Sequence, residues 1–478
     1  MYLGIDLGTS SVKALLIDDA QTVIAESRAP LSVARPAPGW SEQNPADWLS
    51  ATSKALDGLS AETDLKSVKG IGLSGHMHGA TLIDKSGDVL RPCILWNDTR
   101  SHAQAADMDA DPRFRDISGN IVFPGFTAPK LAWVRDTEPE IFNKTDLVLL
   151  PKDYLRLWLT GEAVSEMSDA AGTSWLDVGA RDWSEPLLTE TGLTRAHMPK
   201  LVEGSAVSGG LRAELAKKWG IPANTPVAGG GGDNAATAVG VGVTRPGQAF
   251  LSLGTSGVLF AATPSYAADA ATAVHTFCHA LPDTWHQMGV ILSAADSLEW
   301  YARLTGQKPS DLTKALGALK APGRACFLPY LGGERTPHND ARIRGAMIGL
   351  EHETGLEAGT RAVLEGVAFA LKDSADALAK TGTQIDTLIA VGGGSASKHW
   401  LEIMATVLGQ EIHLPVSGDF GAAFGAARLG MMAATGDTSI ATPPKIEATI
   451  APDTTLTDAF AEAHHRYKDT YNALRTLS

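Results

Sequence analysis

The beginning of the chain alternates between short apolar runs and short polar segments. Tyr2–Asp6 and Val12–Ile17 are almost continuously apolar, and runs of this length predict buried strands. Gly8–Ser11 separates the two runs and predicts a turn, because Gly tolerates a tight backbone and Ser and Thr hydrogen-bond to it. A polar pair that starts at Asp18 ends the second run, and Thr22–Ser27 predicts a third strand. The chain therefore opens with a predicted array of three hairpin-linked strands.

The same strand–turn–strand pattern returns at Gln248–Phe260, near the middle of the 478-residue chain. Leu7-Gly-Thr-Ser-Ser-Val12 reappears there as Leu253-Gly-Thr-Ser-Gly-Val258. Such a repeat indicates two similar lobes, each of which offers a small turn to one shared ligand. Gly permits close approach of the backbone, and free N–H groups beside hydroxyl groups suit a phosphate chain. The repeat therefore predicts phosphate binding between two lobes.

Strands and helices alternate along most of the remaining sequence. Pro45–Leu59 has apolar residues at helical intervals, with Asn44 as a cap and Pro45 at the first helical position. The other predicted helices are Asn234–Gly242, Glu357–Lys380, Lys398–Leu408, Gly418–Gly430 and Leu456–Leu474. The other predicted strands are Ile71–Ser74, Thr81–Asp84 and Leu388–Val391. This alternation indicates an α/β fold.

The repeat also suggests how the chain divides into parts. We assign residues 1–245 to an N-terminal lobe. Residues 246–434 are predicted to form a C-terminal lobe. Residues 435–478 are predicted to be a peripheral Thr/Pro-rich loop, up to about residue 455, followed by an amphipathic helix.

Composition and charge narrow the range of functions. Hydrophobic residues make up 44% of the chain and charged residues 20%, which is ordinary for a soluble globular protein. A formal net charge of −14 argues against nucleic acid or an anionic membrane as a partner. The sequence has no long apolar run and no basic leader segment at its start. Three cysteines without close spacing favour free thiols over a disulfide framework, and we expect a cytoplasmic protein.

The first turn carries charged residues that suit phosphate and metal. Asp6 precedes the turn at a predicted strand end, where a carboxylate can hold hydrated Mg²⁺, and Lys13 lies within reach of the phosphates. An ordinary hairpin, with Asp6 as a local acceptor, is the alternative interpretation. The second copy of the turn favours the phosphate site. Because Ser252 stands where the first copy has its acid, only the first lobe can supply the metal carboxylate.

The segment Gly229-Gly-Gly-Gly-Asp233-Asn234 holds the best candidate for a catalytic group. Four glycines leave Asp233 accessible and let substrate and nucleotide approach the backbone. A carboxylate held there could accept the proton of a substrate hydroxyl that attacks a γ-phosphate. Asp233 could instead act only as the N-cap of the following helix. Four consecutive glycines exceed what a cap needs, so we favour the base.

Three further segments carry weaker signals. Gly392-Gly-Gly-Ser395 lies between a strand and a helix, as in a nucleotide contact or in any tight connection. His76-Met77-His78 lies between two strands and suits a sugar-contacting loop better than a zinc site, with structural histidines as the alternative. Trp96-Asn-Asp-Thr-Arg100 offers an apolar wall beside polar groups for a polyhydroxy ligand. A surface Asp98–Arg100 pair near a core tryptophan is equally compatible with that segment.

Taken together, these motifs resemble those of the FGGY carbohydrate kinases. Gly125-Phe-Thr-Ala-Pro-Lys130 is similar to the first family signature, and Gly345-Ala-Met-Ile-Gly-Leu350 to the start of the second. Longer segments are similar to the bacterial members that act on D-xylulose. These segments include Ile94–Asp98, Leu150–Arg156, Met167–Thr173, Phe277–Pro282 and Gly333–Asn339. The resemblance extends from Met1 to about Gly430. It departs from the family pattern at His76, where the nearest relatives are expected to have Gln, and at Thr137, where the first signature prefers an amide or an acid.

The resemblance implies a fold, a reaction and a set of site residues. The fold would be two actin-like, ribonuclease H-like lobes with a catalytic cleft between them. The reaction would be phosphorylation of D-xylulose by Mg-ATP to D-xylulose 5-phosphate, in a protein that could be a homodimer. Asp233 would be the general base, Asp6 would face the metal, and the sugar would contact Met77, His78, Trp96 and Asn234. ATP would contact Thr9, Ser10, Lys13, Gly254, Thr255, Gly393 and Gly394.

Two alternative functions remain open beside this one, and only the second belongs to a different class. The first is a kinase for another ketopentose or a pentitol, such as ribulose, because pocket shape does not follow from sequence. The second is an actin-like ATPase that has no sugar substrate. An assembly ATPase has no need for Gly-Gly-Gly-Asp233-Asn beside a sugar loop, which disfavours the second alternative.

Overall fold

The computed structural model describes residues 1–416 and 420–477. Its N-terminal half is built on a seven-stranded sheet. The order across that sheet is Val207–Gly210, Pro226–Ala228, Gly70–Gly75, Tyr2–Leu7, Ser11–Ile17 and Val23–Pro30, with Gly231–Gly232 pairing beside Gly70–Gly75. The first three strands of the chain are antiparallel, and Gly70–Gly75 is parallel to Tyr2–Leu7. The predicted hairpin array at the start of the chain is therefore confirmed.

A second seven-stranded sheet repeats this arrangement. Its order is His275–Cys278, Trp285–Ile291, Gly257–Thr263, Gly247–Leu253, Ile385–Val391, Ile412–Pro415 and Ile446–Ile450. Trp285–Ile291, Gly257–Thr263 and Gly247–Leu253 are antiparallel, and Ile385–Val391 then runs parallel to the last of these. The two Gly-Thr-Ser turns occupy the same position in the two sheets, between the first and second strand of each repeat. The predicted duplication is therefore a duplication of structure.

Helices cover the faces of both sheets, in an α/β architecture. The longer α-helices are Pro45–Glu62, His102–Asp109, Thr127–Thr137, Pro151–Thr160, Asp233–Gly240, Ala295–Thr305, Leu356–Lys380, Lys398–Leu408, Ala422–Thr435 and Thr457–Leu474. The shorter ones are Pro112–Ser118, Pro139–Lys144, Met167–Ala170, Glu185–Glu190, Ala213–Trp219 and Pro309–Lys314. Asn44 caps the first helix by accepting the N–H of Ala46, as its position before Pro45 predicts.

Short paired strands and 3₁₀ turns complete the chain. The strand pairs are Glu42–Gln43 with Cys93–Ile94, Thr81–Ile83 with Leu147–Leu149, Val164–Glu166 with Lys200–Val202, Leu176–Asp177 with Asp182–Trp183, and Cys326–Leu328 with Ala346–Ile348. The 3₁₀ turns are Leu65–Ser67, Ala171–Thr173, Arg195–His197, Ala270–Thr272, Gly393–Ala396 and Thr438–Ile440. None of the helices in the described ranges has the length and apolar composition needed to cross a membrane.

The helix Ala422–Thr435 follows the second sheet in sequence but packs on the first sheet. A methyl group added at Gly4 would lie 1.9 Å from the carbonyl oxygen of Ala423, and one at Gly72 would lie 1.8 Å from that of Ala426. Close contact of this kind requires residues without side chains on the sheet. The sequence predicted a small-residue helix over Gly418–Gly430, but the helix begins at Ala422, and Gly418 lies outside the described residues.

The predicted peripheral loop after residue 435 is wrong. Ile446–Ile450 is a strand that pairs antiparallel with Ile412–Pro415 and forms the edge of the second sheet. The helix Thr457–Leu474 packs on the core of the same half, where Phe460 and Tyr467 are almost fully buried. The Thr/Pro-rich composition conceals the strand, because the half-exposed edge position needs no continuous apolar run.

Candidate active site

Asp6 and Asp233 lie at the same edge of the first sheet. Asp6 is paired in register with Ser74, and Gly231 and Gly232 are paired with Ser74 and Gly75. All three strands run parallel, so their carboxyl ends share one edge. Asp233 follows Gly232 directly. Two acids far apart in sequence therefore face the same space, with the strand Gly70–Gly75 between their strands.

Asp233 begins the helix Asp233–Gly240, and Gly232 occupies the N-cap position. Interpretation of Asp233 as the N-cap is therefore wrong. The backbone N–H and the side-chain amide of Asn234 both donate to Asp233 Oδ1, over 2.7 and 3.0 Å. Oδ2 has no hydrogen-bond partner among the described residues. Burial raises the pKa of Asp233 to about 6, against the opposing effect of the two Asn234 bonds.

The carboxyl group of Asp6 is buried, and its surroundings suit the binding of a cation. Burial and then the neighbouring charge of Asp233 raise the pKa of Asp6 to about 6. Its Oδ1 atom is buried and has no hydrogen-bond partner in the described part of the chain. A buried acceptor without a donor is costly to leave unsatisfied, and hydrated Mg²⁺ prefers such oxygen ligands. The residue present at this position therefore fits the predicted metal.

The segment His76–His78 reaches the edge where Asp233 lies. A methyl group added at Gly232 would lie 2.9 Å from Met77 Cγ, so Met77 packs directly against the glycine that precedes the base. His78 has a positive φ of 70° and stacks on Phe126 with ring centroids 4.6 Å apart. The ammonium group of Lys130 donates to the carbonyl oxygen of His78 over 2.8 Å. Met77 and His78 therefore lie in a fixed loop beside Asp233.

His78 offers a hydrogen-bond acceptor in the site. Burial, followed by the charge of Lys130, lowers its pKa to about 3, so the ring is neutral at physiological pH. His78 Nδ1 lies 2.7 Å from the carbonyl oxygen of Gly172, and a carbonyl accepts only a proton-bearing nitrogen. Nδ1 therefore carries the proton, and Nε2 is left to accept a hydroxyl. His76 instead lies in the core, with its ring edge-on to Trp48.

Trp96 connects the predicted sugar site with the first phosphate turn. Its indole N–H donates to the hydroxyl of Thr9 over 3.1 Å, and 47% of the residue's surface is exposed. The alternative of a core tryptophan beside a surface ion pair is wrong on both counts. The Asp98–Arg100 pair is almost fully buried, with an N–O distance of 2.7 Å. The guanidinium of Arg100 also lies 3.7 Å from the ring centroid of Trp40.

Lys13 lies beside Asp6 and also contacts an acid on the neighbouring strand. It is paired in register with Asp6, but its ammonium group forms an ion pair with Glu26 on the next strand, over 2.8 Å. The side chain of Lys13 is only 8% exposed. Burial lowers the pKa of Lys13, and the hydrogen bond to Glu26 opposes that shift. Ser10, in the turn itself, is exposed.

The second Gly-Thr-Ser turn, residues 254–256, is partly exposed and adjoins the start of a helix. Gly254 is half-buried and Thr255 is exposed. Their carbonyl oxygens accept N–H groups at the start of the helix Ala295–Thr305: Ala294 donates to Thr255 over 2.8 Å, and Ala295 to Gly254 over 2.9 Å. With the carbonyl oxygens directed to that helix, the hydroxyl of Thr255 stays accessible to a ligand.

Gly393 and Gly394 border two cavities at the carboxyl ends of the second sheet. The larger, about 970 Å³, lies between the helices Ala295–Thr305, Pro309–Lys314 and Lys398–Leu408, and both glycines line it. The smaller, about 760 Å³, is lined by Gly393, Ser252 and Thr237. Because Thr237 belongs to the helix that starts at Asp233, the smaller cavity lies between the second sheet and that helix.

Several residues of this site were not singled out from the sequence. Leu298, Pro309, Thr313 and Gly317 line the larger cavity, but each is an ordinary residue of a helix or a connection. Lys130 was noted only as part of a signature, yet it is fully buried and holds the His78 carbonyl. No local pattern marks these residues, because only the packing of distant helices turns them toward a cavity.

Sequence comparison identifies the class of protein. The profile of the N-terminal domain of the FGGY family of carbohydrate kinases matches residues 1–240, and that of the C-terminal domain matches residues 249–434. The chain therefore belongs to the FGGY family of carbohydrate kinases. Its two lobes have the actin-like α/β architecture of that family, as the resemblance implies.

Individual relatives narrow the class further. The chain is 50% identical to the xylulose kinase of Escherichia coli (strain K12) over 443 residues, which covers 92% of this chain and 91% of that protein. It is 38% identical to the xylulose kinase of Bacillus subtilis (strain 168), over 89% of this chain and 87% of that one. The crystal structure of a xyloylose kinase from Brucella ovis is 60% identical, with a TM-score of 0.98 and complete coverage of both chains.

Proposed function

We propose that the protein transfers the γ-phosphoryl group of Mg-ATP to the terminal hydroxyl of D-xylulose, which gives D-xylulose 5-phosphate and ADP. The observation that carries the proposal is the position of Asp233 beside the Met77–His78 loop, in a chain half identical to a xylulose kinase over nine-tenths of its length. A base, a sugar loop and a phosphate turn meet at one sheet edge.

Asp233 is the general base in this reaction. Asn234 holds Oδ1 through two hydrogen bonds, so Oδ2 is the oxygen that receives the proton of the sugar hydroxyl. As that proton leaves, the sugar oxygen forms a bond to the γ-phosphorus, and the bond from phosphorus to the bridging oxygen of ADP breaks. A pKa near 6 keeps Asp233 ionised at neutral pH while leaving it basic enough to accept a proton.

The sugar is held by groups that accept and donate hydrogen bonds beside an apolar wall. His78 Nε2 accepts a hydroxyl, and the half-exposed ring of Trp96 forms the wall. Met77 limits the space next to Gly232, so the sugar is aligned against the base. The side-chain oxygen of Asn234 remains available for a second hydroxyl. Positioning of this kind supplies much of the rate acceleration in phosphoryl transfer.

The phosphates are held by the two repeated turns. Thr9 and Ser10 from the first lobe and Gly254 and Thr255 from the second offer N–H and hydroxyl donors to the phosphate oxygens. Gly393 and Gly394 border the larger cavity, whose volume of about 970 Å³ suits adenosine. Asp6 would hold Mg²⁺, which when bound neutralises charge on the phosphates. Lys13 contributes its positive charge beside Asp6, because its ammonium group already contacts Glu26.

A substrate panel tests this proposal most directly. We expect the highest kcat/KM for D-xylulose when D-xylulose, ribulose and pentitols are compared with ATP as donor and the product is identified. A higher kcat/KM for ribulose or a pentitol would assign another acceptor. ATP consumption that does not depend on any added sugar would instead support an ATPase without a sugar substrate.

Replacement of the base tests the mechanism separately. Asp233→Asn keeps the shape of the side chain but removes its capacity to take a proton, so kcat should fall at least a hundredfold. Binding of ATP, measured by calorimetry, should stay within twofold of the unmodified protein. Near-normal turnover of this variant would contradict the assignment.

Two properties of the whole protein are part of the same proposal. We expect a cytoplasmic location, where ATP is available, and neither nucleic acid nor membrane as a partner, consistent with the net charge of −14. We also expect a homodimer, the state common in the family. Sedimentation velocity at micromolar concentration measures this state directly.

A further inference from the structure

Two sequence segments that have no role in the proposed reaction meet beside the loop of residues 229–232, which leads into Asp233. We call this loop the catalytic loop. Leu150–Arg156 starts the helix Pro151–Thr160, and Met167–Thr173 follows the short strand Val164–Glu166. Together with Glu166, the last residue of that strand, they bring five charged side chains into the interior. These residues are Lys152, Asp153, Arg156, Glu166 and Asp169, each with a fully buried side chain. Charges are this deeply buried only when they are paired and hydrogen-bonded.

Lys152 joins the carboxyl groups of this cluster. Its ammonium group lies 2.7 Å from Asp153, 3.2 Å from Asp169 and 3.5 Å from Glu166. Burial raises the pKa of Asp169 well above its usual range, despite the opposing charge of Lys152. These contacts tie the helix Pro151–Thr160 to the segment that carries Ser168.

Arg156 extends from this cluster to the start of the catalytic loop, at Ala228 and Gly229. One of its terminal nitrogens donates to the carbonyl oxygen of Ala228 over 2.6 Å, and the other donates to that of Gly229. Its Nε atom donates to the carbonyl oxygen of Val164 over 3.2 Å. The planar guanidinium thus holds two consecutive carbonyl groups at once, a geometry that a lysine cannot reproduce.

Ser168 reaches the other end of the same loop. Its hydroxyl donates to Glu166 Oε1 over 2.9 Å, so the oxygen lone pair faces Gly232. The N–H of Gly232 donates to that oxygen over 3.1 Å. Glu166 also accepts the N–H of Ser168 over 2.7 Å, which fixes the serine backbone. Gly232 is the residue immediately before Asp233, so a displaced Gly232 N–H displaces the base.

The glycines of the loop leave no side chain through which to hold it. A methyl group at Gly229 would lie 2.2 Å from the carbonyl oxygen of Glu203, and one at Gly230 would lie 2.2 Å from that of Leu73. The loop can therefore be held only through its backbone. Backbone carbonyls serve the N–H groups of Gly229 and Gly230, whereas the N–H of Gly232 is served by a side chain, that of Ser168.

We propose that Ser168, oriented by Glu166 and supported by Arg156, is a positioning residue that fixes the catalytic loop and thereby aligns Asp233 with the reacting hydroxyl. The inference rests on the proposed function, since it assigns a role to the surroundings of the same base. Removal of the Ser168 hydroxyl frees the Gly232 N–H and lets the base drift. A displacement of about 1 Å in a reacting group lowers turnover by up to about a hundredfold.

Ser168→Ala is the direct test, and Ser165→Ala is its matched control. Both serines are fully buried on the same short segment, and the Ser165 hydroxyl has no hydrogen-bond partner among residues 1–416 and 420–477. We expect kcat of Ser168→Ala to fall at least about tenfold, with KM for D-xylulose and for ATP within twofold of the unmodified protein. Ser165→Ala should change none of these constants by more than twofold.

Three outcomes would overturn the inference or its foundation, and they are distinguishable. Equal kcat for the two serine variants would show that the hydroxyl does not position the base. A parallel rise in KM would assign Ser168 to substrate binding instead. Failure of the unmodified protein to phosphorylate D-xylulose would overturn the proposed function itself.

A second variant covers the case in which Ser168→Ala does not fold. Arg156→Lys keeps the positive charge but removes the paired hydrogen bonds to the carbonyl groups of Ala228 and Gly229. It should therefore give the same selective loss of kcat. Unchanged kcat in a folded Arg156→Lys protein would overturn the inference as well. Thermal melting of each variant, compared with the unmodified protein, establishes that it is folded.

Discussion

At the scale of single residues, the site depends on how burial shifts the pKa values of its carboxyl and imidazole groups. Asp6 and Asp233 are both brought to a pKa of about 6, mainly because their carboxylates are removed from water. His78 is kept neutral for the same reason. The resulting set is the proposed base, the proposed metal-facing carboxylate and a neutral acceptor. Each is in the protonation state that phosphoryl transfer to a hydroxyl needs at neutral pH.

The raised pKa of Asp233 predicts an acid limb in the pH profile. Only the ionised form accepts a proton, so kcat/KM should fall about tenfold per unit as the pH drops below about 6. Rates measured between pH 4.5 and 8 at saturating Mg-ATP give this limb. Because Asp6 and Asp233 interact, its midpoint is a property of the pair. A midpoint near 4, the value of an ordinary carboxyl, would contradict the prediction.

The hydrogen bond from Trp96 to Thr9 predicts a coupling between the sugar wall and the phosphate turn. Trp96→Phe keeps an aromatic wall but removes the donor, and a neutral hydrogen bond contributes about 1 kcal/mol. We expect kcat/KM to fall about fivefold. Thr9→Val removes the same hydrogen bond together with a proposed phosphate donor, so its loss should be at least as large, and the double variant should be no worse than Thr9→Val alone. Additive losses would show that the two residues act independently.

At the scale of elements, small residues decide how the two halves of the chain meet. The helix Ala422–Thr435 lies on the first sheet because glycines in the strands leave room for its backbone. Gly425 on the helix shows the reverse contact: an added methyl group would lie 1.7 Å from the carbonyl oxygen of Ala236. Ala236 belongs to the helix that starts at Asp233. Close packing therefore connects the second half of the chain to the element that carries the base.

Substitution of Gly72 tests this packing. Gly72→Ala would place a methyl group 1.8 Å from the Ala426 carbonyl, so helix and sheet must separate. We expect a loss of about 3 kcal/mol in the free energy of unfolding. Gly323→Ala is the control, since nothing lies within 4 Å of an added methyl group there. Urea denaturation of both variants measures the difference, and an equal midpoint for the two would contradict the packing described.

At the scale of the whole molecule, the C-terminal segment completes the second half. The strand Ile446–Ile450 extends the second sheet, and the helix Thr457–Leu474 covers its core. The hydroxyl of Tyr467 donates to that of Tyr330 over 2.6 Å, and His464 Nε2 lies 2.8 Å from Asp373 on the long helix Leu356–Lys380. Tyr330 leads into the loop that contains Glu334, so this buried polar network links three distant parts of the chain.

Glu334 in that loop makes stability dependent on pH. Burial raises its pKa from the usual value near 4.5 to about 8, although two backbone N–H groups donate to it. Between these values the unfolded chain has released the proton and the folded chain retains it, so stability falls as the pH rises from about 4.5 to about 8. Below about 4.5 both states hold the proton and the contribution is complete.

Glu334→Gln should remove this dependence, because the amide oxygen can still accept both N–H groups but has no proton to lose. Between pH 6 and pH 8, the variant should gain on the order of 2 kcal/mol in unfolding free energy relative to the unmodified protein. Denaturation curves at the two pH values give the change. Parallel pH dependence in both proteins would contradict the raised pKa.

The sequence alone determined most of the elements and the duplication, and it predicted the residues of the candidate site. Periodicity and turn residues are local, so they predicted the opening strands, the helix at Pro45 and the helix Lys398–Leu408 within a few residues. The repeated Gly-Thr-Ser turn predicted two equivalent sheets. The glycines before Asp233 favoured it as the proposed base, because no structural cap requires four of them.

Tertiary structure alone decided which distant groups touch. The contact of Trp96 with Thr9, the pairing of Lys13 with Glu26 and the burial of the Asp98–Arg100 pair depend on the register of strands far apart in sequence. The edge strand Ile446–Ile450 has no apolar run of its own and forms only because Ile412–Pro415 offers free backbone groups to pair with. The local sequence pattern determines which secondary structure a segment can form, whereas packing determines which distant residues become its hydrogen-bond and ion-pair partners.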